Sequence, residues 1–419
     1  MSILKKYIKK HVVYAPFINE KAADNLQNII VIPCYNEPDI LSTINSLVSC
    51  KEPVRSVEVI IVINSADNTD VVILEQNKKT KAEITNFIST YYSSRLRFYI
   101  ISIKDVPNKF AGVGFARKVG MDEAVSRFSS INNTNGIITG FDADSVVEEN
   151  YLVEIENLFK NKPKLNGCSI YFEHPVKGTI FPEINYKRIT EYELYLRYYS
   201  LSLKGIGFPY YFHTVGSSFT VKAETYCKQG GMNRKKAGED FYFLQKIMPL
   251  GNYEYLNTTT VYPSSRPSDR VPFGTGAFIK ENIEFPEKEF LTYNFEVFKN
   301  LHHFFKQIDK LFNIKNFEYE ALNLDESLVQ FLVKNEFAKA LVEINANTSN
   351  INSFRKRFFQ YFDAFRILKY QNFVHPYFYE KISVTDAVNE YLNYTEQKEL
   401  CFNKAGILLE RLRLIEKGF

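Results

Sequence analysis

Tryptophan is absent from this chain, although it carries 28 tyrosines and 36 phenylalanines. Cysteine is scarce. Cys34, Cys50, Cys168, Cys227 and Cys401 are odd in number and widely scattered, and none forms a Cys-x-x-Cys pair. That excludes a disulfide framework and a cysteine-based zinc site, and it points to a reducing compartment. No stretch approaches the roughly 18 consecutive apolar residues that span a bilayer. The opening Met1–Val13 lacks the continuous apolar core of a signal peptide. It does alternate lysine pairs with apolar residues, and two readings stand: a basic segment packed on the domain, or one lying on an anionic membrane surface. The expectation is a cytoplasmic protein, with peripheral contact at the inner membrane face as its variant. Excess charge of one sign is also missing. A net charge of +4 is too small to argue for nucleic acid, and no basic stripe interleaved with aromatics appears. No internal repeat or low-complexity tract is present. The 45% hydrophobic and 24% charged fractions are those of an ordinary soluble globular protein.

What the chain does contain is a series of short apolar runs, each followed by polar residues. The most telling is Ile137-Ile138-Thr139-Gly140-Phe141, which runs into Asp142-Ala143-Asp144. Side chains alternate faces along a strand, but a turn beginning at the second aspartate lets both carboxylates converge. Two carboxylates at the carboxyl end of a strand suit a hard divalent cation, Mg²⁺ or Mn²⁺, which prefers oxygen ligands and bridges to phosphate. Upstream, Asn28–Pro33 reads as another strand. It runs into Cys34-Tyr35-Asn36-Glu37-Pro38 and a helical pattern at Ile40, Leu41, Ile44, Leu47 and Val48. Cys34 reads as a small buried residue. Val57–Ile63 is a third strand, ending in a polar loop from Asn64 to Asp70. Leu96–Ile103 is a fourth and precedes Gly112-Val113-Gly114. Strands alternating with helices predict an α/β fold, an open and mostly parallel sheet with a site along its carboxyl edge.

Five motifs in order carry a resemblance. They are Val31-Ile32-Pro33-Cys34-Tyr35-Asn36-Glu37, the Asn64–Thr69 loop, Gly114-Phe115-Ala116-Arg117-Lys118-Val119-Gly120, Asp142-Ala143-Asp144 and Gly238-Glu239-Asp240. Over roughly residues 25–265 the chain resembles glycosyltransferase family 2. The resemblance implies a GT-A type, Rossmann-like open mixed sheet flanked by helices, which binds a nucleotide sugar. One departure stands out: the loop after the second strand usually carries an acidic residue for the nucleotide base, and here that place holds Ile63-Asn64.

The resemblance implies roles residue by residue. Pro33, Tyr35, Asn36 and Glu37, with Asn64 and Asp67, would meet the base and ribose: Tyr35 by stacking, Glu37 or Asp67 by accepting hydrogen bonds. Glu37 before Pro38 also reads as a helix cap. Asp144, assisted by Asp142 around Ala143, would hold Mg²⁺ or Mn²⁺ against the diphosphate. Arg117 and Lys118 would support phosphates or ribose, or else form an exposed helical face. Asp240, with Glu239 beside it, would be the catalytic base, although acids there also cap a helix. Arg266 and Arg270, in a loop rich in Pro, Gly and Ser, would fold over the diphosphate, or simply link two domains. His213 reads as a structural histidine or as one facing the acceptor or metal.

These features divide the chain into a basic lead-in (1–27), a GT-A domain (28–285, with a nucleotide-binding half to 165 and an acceptor half from 166), and a helical C-terminal domain (286–419). Helical periodicity runs through Tyr293–Phe312, Ser327–Asn345, Ile351–Tyr370 and Ala387–Lys417. The expected activity is metal-dependent, inverting transfer of a sugar from a nucleotide-sugar donor, a UDP-sugar by resemblance, to a carbohydrate or lipid-linked acceptor. A sugar-phosphate nucleotidyltransferase would instead carry a glycine-rich basic loop directly after the first strand, where this chain has Pro33–Glu37. A non-catalytic nucleotide- or carbohydrate-binding module would have no use for both aspartate motifs.

Overall fold

A computed structural model describes residues 1–268, 274–285 and 287–418. The chain parts into two compact units: Met1–Tyr186 with Thr214–Lys280, and Lys187–His213 with the residues from Glu281 onward. The segment 187–213, which the linear reading assigns to the acceptor half, thus packs with the C-terminal helices.

The first unit opens with α1 (Ile3–His11), then alternates β1 (Leu26–Cys34), α2 (Ile40–Val48), β2 (Ser56–Ala66), α3 (Val71–Thr90), β3 (Leu96–Val106), α4 (Val113–Ser130) and β4 (Ile137–Gly140). There follow β5 (Val146–Val147), α5 (Tyr151–Asn161), β6 (Gly167–Phe172), α6 (Glu183–Gly205), most of which belongs to the second unit, β7 (Phe219–Lys222), α7 (Ala223–Lys228), α8 (Glu239–Ile247), β8 (Tyr253–Tyr262) and α9 (Thr275–Ile283). Among the described residues, eight strands make one sheet in the order β3-β2-β1-β4-β7-β6-β8-β5. The first four are mutually parallel, and β7 runs antiparallel to both β4 and β6. This is the open mixed α/β sheet, flanked by helices, that the resemblance implies.

The central strands are continuous apolar runs because both faces are covered; Ile29, Ile30, Val31 and Ile32 are all fully buried. Helix α4 lies close over β1. A Cβ at Gly120 would collide with Val31, so only glycine permits that approach. Helix α1 packs on the domain through one face: Leu4 and Tyr7 are buried, and the Tyr7 hydroxyl donates to Asp122 of α4 at 2.7 Å.

The second unit holds the rest of α6, then β9 (Leu291–Thr292), α10 (Phe295–Phe305), α11 (Glu326–Lys334), α12 (Phe337–Ala346), α13 (Ile351–Tyr361), α14 (Ala364–Val374), β10 (Ile382–Ser383), α15 (Val384–Tyr394) and α16 (Ala405–Lys417). It is helical, as expected, but each long periodic stretch from Ser327 onward is two helices rather than one. Glu336 turns the chain with a positive φ of 51° between α11 and α12. Asp363 caps α14, accepting from the Arg366 N–H at 2.8 Å. Phenylalanines fill the core: Phe304, Phe305, Phe337, Phe358 and Phe362 are at least nine-tenths buried. One network joins buried charges: Arg197 and Arg413 both engage Glu193 while Arg197 and His213 engage Glu416. Although burial opposes it, Arg197 and His213 hold the Glu416 pKa below the ordinary carboxylate range.

Candidate active site

The turn after β1 sits at a strand end. Pro33 and Tyr35 are half-buried. Asn36 takes a left-handed φ of 51°, and its N–H donates to Asn77 Oδ1 at 2.8 Å. Asparagine tolerates that conformation better than most residues. Glu37 is 1% exposed yet does not cap α2. Asp39 does so, accepting from the Ser42 N–H and hydroxyl, because the helix begins at Ile40 and Pro38 lies outside it. Both Glu37 carboxylate oxygens instead receive Arg266, with Nη1–Oε1 at 3.0 Å and Nη2–Oε2 at 2.5 Å. At the end of β2, Asn64 is buried and its Nδ2 donates to the Gly112 carbonyl at 3.4 Å. Asp67 is exposed just past the strand, its N–H donating to Val106.

Arg117 is 2% exposed, in the second turn of α4, so the exposed-face reading does not hold for it. Its Nη2 donates to Asp142 Oδ1 and its Nη1 to Glu239 Oε1. Burial works against its charge, but Asp142, Glu239 and Asp240 outweigh that and push its pKa above the ordinary arginine value. Space for the guanidinium comes from Gly216, where a Cβ would collide with both terminal nitrogens. Lys118 turns elsewhere: its Nζ donates to Asp122 at 2.8 Å and to the Tyr7 hydroxyl at 3.2 Å. Gly114 admits backbone rather than an anion, since a Cβ there would strike the Lys235 carbonyl.

Asp142 and Asp144 follow β4, with side chains 33% and 26% exposed. Ala143 between them is buried, and its carbonyl accepts from the Thr43 hydroxyl at 2.8 Å. Asp144 Oδ2 lies 3.3 Å from Arg266 Nη2, so Arg266 spans the turns after β1 and β4. The Glu37 hydrogen bond raises the Arg266 pKa against the cost of burial, and Asp144 adds to the rise. Arg270 lies outside the described residues. Among the described residues no group of three or more His, Cys, Asp or Glu could enclose a metal ion. Two accessible carboxylates on one turn still match the way Mg²⁺ is held, by one or two carboxylates plus phosphate and water.

Glu239 and Asp240 open α8 behind Gly238, whose φ is 67° and which makes no side-chain cap. Asp240 Oδ1 accepts from the Phe241 N–H at 2.7 Å. Burial raises the Asp240 pKa, with Arg117 pulling the other way. Burial likewise pushes Glu239 up to about 7, opposed by Arg117 and helped by Asp240. A carboxylate whose pKa is raised by burial is well suited to take a proton. His213 lies in the second unit, its Nε2 2.9 Å from Glu416 Oε1, so it is the structural member of its two readings.

Sequence reasoning overlooked two features. Gly216 gave no signal, because the residue it accommodates is a hundred positions away. The exposed run Arg234-Lys235-Lys236 was legible as a basic triplet just before Glu239. There Arg234 lies over the Phe110 ring at 4.4 Å, and Lys236 donates to Asn108 at 2.8 Å.

Comparison with known proteins gives one family match. The sequence model described as Glycosyl transferase family 2 matches residues 29–221, which contain four of the five motifs. No curated protein matches the chain. Among solved structures, Staphylococcus aureus TarS 1-349 in complex with UDP-GlcNAc is 12% identical, with a TM-score of 0.38, covering 94% of this chain and 91% of that one. The same protein in complex with UDP is 15% identical, with a TM-score of 0.37, covering 70% and 76%. The ordered strand-end turns and the Asp142–Asp144 pair lie within this matched span, and the chain is a glycosyltransferase whose residues 29–221 match the glycosyl transferase family 2 model.

Proposed function

We propose that this glycosyltransferase moves a sugar from a nucleotide-sugar donor, a UDP-sugar by family resemblance, to a hydroxyl of a carbohydrate or lipid-linked acceptor, with inversion. The observation that best supports this is the pair of ion pairs made by Arg117. One guanidinium spans from the β4 turn, where a diphosphate would be neutralised, to the start of α8, where a base would stand.

In this reading Pro33, Tyr35, Asn36 and Glu37 border the nucleoside, with Asn64 and Asp67 at the neighbouring strand end. Asp142 and Asp144 would hold Mg²⁺ or Mn²⁺, which when bound supplies charge neutralisation to the leaving diphosphate. Arg117 holds Asp142 in place and keeps Glu239 oriented. Asp240 removes the acceptor proton as the new bond forms, and a single displacement of this kind inverts the anomeric centre. Arg266 closes over the donor from the β8 side and joins the first and fourth strand turns.

A panel of nucleotide sugars tests the reading, each titrated calorimetrically with Mn²⁺, with Mg²⁺ and with chelator. The expected result is tighter donor binding with the cation, most weakened by Asp144→Ala. Equal affinity with and without metal would remove the cation from the reading. Failure to bind any nucleotide sugar would overturn it.

A further inference from the structure

The first unit spends two adjacent α4 carboxylates on its N-terminal segment, away from the transfer chemistry. Asp122 receives the Tyr7 hydroxyl of α1 at 2.7 Å, and also Tyr226 at 2.8 Å. Glu123 receives the backbone N–H groups of Phe17 and Ile18 at 2.9 and 3.3 Å. The chain is therefore pinned at α1 and again at Phe17–Ile18, and the residues between form a strap held at both ends.

The outward surface of this segment has an unusual make-up. Helix α1 buries Leu4 and Tyr7, leaving Lys5, Lys6, Lys9 and Lys10 exposed on its opposite face. All five residues from Val13 to Phe17 are exposed; Val13 is 68% exposed, Tyr14 41% and Phe17 38%. No acidic residue occurs before Glu20. Four exposed cations that make no ion pair among the described residues, continuous with exposed apolar and aromatic side chains, match a surface of anionic headgroups over hydrocarbon. A polar protein partner would have no use for the apolar strap, and a purely apolar partner none for the lysines.

We propose that α1 and the Val13–Phe17 strap form a docking surface for an anionic phospholipid bilayer. The lysines meet the headgroups, and Val13, Tyr14 and Phe17 enter the interfacial layer. This surface does not depend on the transfer reading. Its Tyr14 ring packs edge-on against Phe115 at 6.1 Å, two residues before Arg117, so docking brings the start of α4 to the membrane.

The test is co-sedimentation of the full chain with vesicles of phosphatidylcholine alone and of phosphatidylcholine mixed with phosphatidylglycerol. Binding is expected to the mixed vesicles only, and to fall as salt rises from ~0.1 to ~1 M and the Debye length shrinks. The Lys5→Glu, Lys6→Glu, Lys9→Glu triple variant should bind about 100-fold more weakly. The matched Lys78→Glu, Lys79→Glu, Lys81→Glu variant on α3 should bind within about threefold of wild type. Val13→Ser with Tyr14→Ser should cost about tenfold. Lys→Gln replacements at 5, 6 and 9, which introduce no new charge, should give an intermediate loss and guard against misfolding of the Glu variant. Equal binding to neutral vesicles, no binding to mixed ones, or an equal loss in both triple variants overturns the proposal.

Discussion

Arg266 grips Glu37 with both arms of its guanidinium, although 229 positions separate the two residues. Such a planar fork is a geometric lock that a lysine cannot reproduce. It joins the segment after β8 to the turn after β1, and Asp144 sits at its edge.

Arg266→Lys should therefore weaken nucleotide-sugar binding by about tenfold while leaving the fold intact. Isothermal titration against the preferred donor reads this directly. Unchanged affinity would show that the fork is structural only.

Asp240→Asn keeps the shape of the side chain and its contact with the Phe241 N–H but cannot take a proton. Transfer should fall by ~10²–10⁴-fold, with donor affinity nearly unchanged. Burial raises the Asp240 pKa, so its basic form is lost on acidification earlier than that of an ordinary aspartate. The acid limb of kcat/KM should accordingly lie above pH ~4. Near-wild-type turnover of the Asn variant would remove Asp240 as the base and favour retention.

Gly216→Ala places a methyl group where the Arg117 guanidinium lies. The arginine must move, and both of its carboxylate partners lose it. The expected cost is about 1–3 kcal/mol of stability, by analogy with overpacked cores, with at least about tenfold lower activity. Denaturant unfolding and initial rates measure the two effects. A variant with wild-type stability and rate would mean that the arginine has another seat.

Glu239 carries a pH signature of its own. Its folded pKa, about 7, lies above the ordinary glutamate value. The stabilisation from its protonated form is complete below about pH 4.3 and is lost as pH rises through about 7. The unfolding free energy of the wild-type protein, read from denaturant titrations, should thus drop across that window relative to Glu239→Gln, by up to on the order of 3 kcal/mol. Parallel pH curves for the two proteins would refute this assignment.

The strand-end turns were legible because buried parallel strands read as continuous apolar runs and place polar residues at their ends. Asp142 and Asp144 stand at such an end, as do Asn36 and Glu37. The burial of Arg117 was not legible: a charged residue in a helical pattern reads as solvated until its partners from other segments are known. Glu37 looked like a cap because Pro38 follows it, but the helix starts two residues after Pro38 and Asp39 does the capping. In the C-terminal region the apolar period carries across the breaks, since the helices on either side bury into one phenylalanine core. No glycine or proline marks the turn at Asn335-Glu336. At Asp363 an N-cap signal was present but lay inside an otherwise unbroken pattern.

The reversal of direction between β4 and β7 separates two kinds of evolutionary freedom. On the parallel side, each turn is tied to the register of buried strands, so a changed length would displace carboxylates held by Arg117 and Arg266. Beyond the reversal, the β6–β7 connection carries α6, most of which belongs to the second unit, and the β7–β8 connection carries Glu239 and Asp240, so insertions are tolerated only at exposed loop tips. Descendants of this chain could therefore vary in length at such tips while inheriting the carboxylates and arginines held in register.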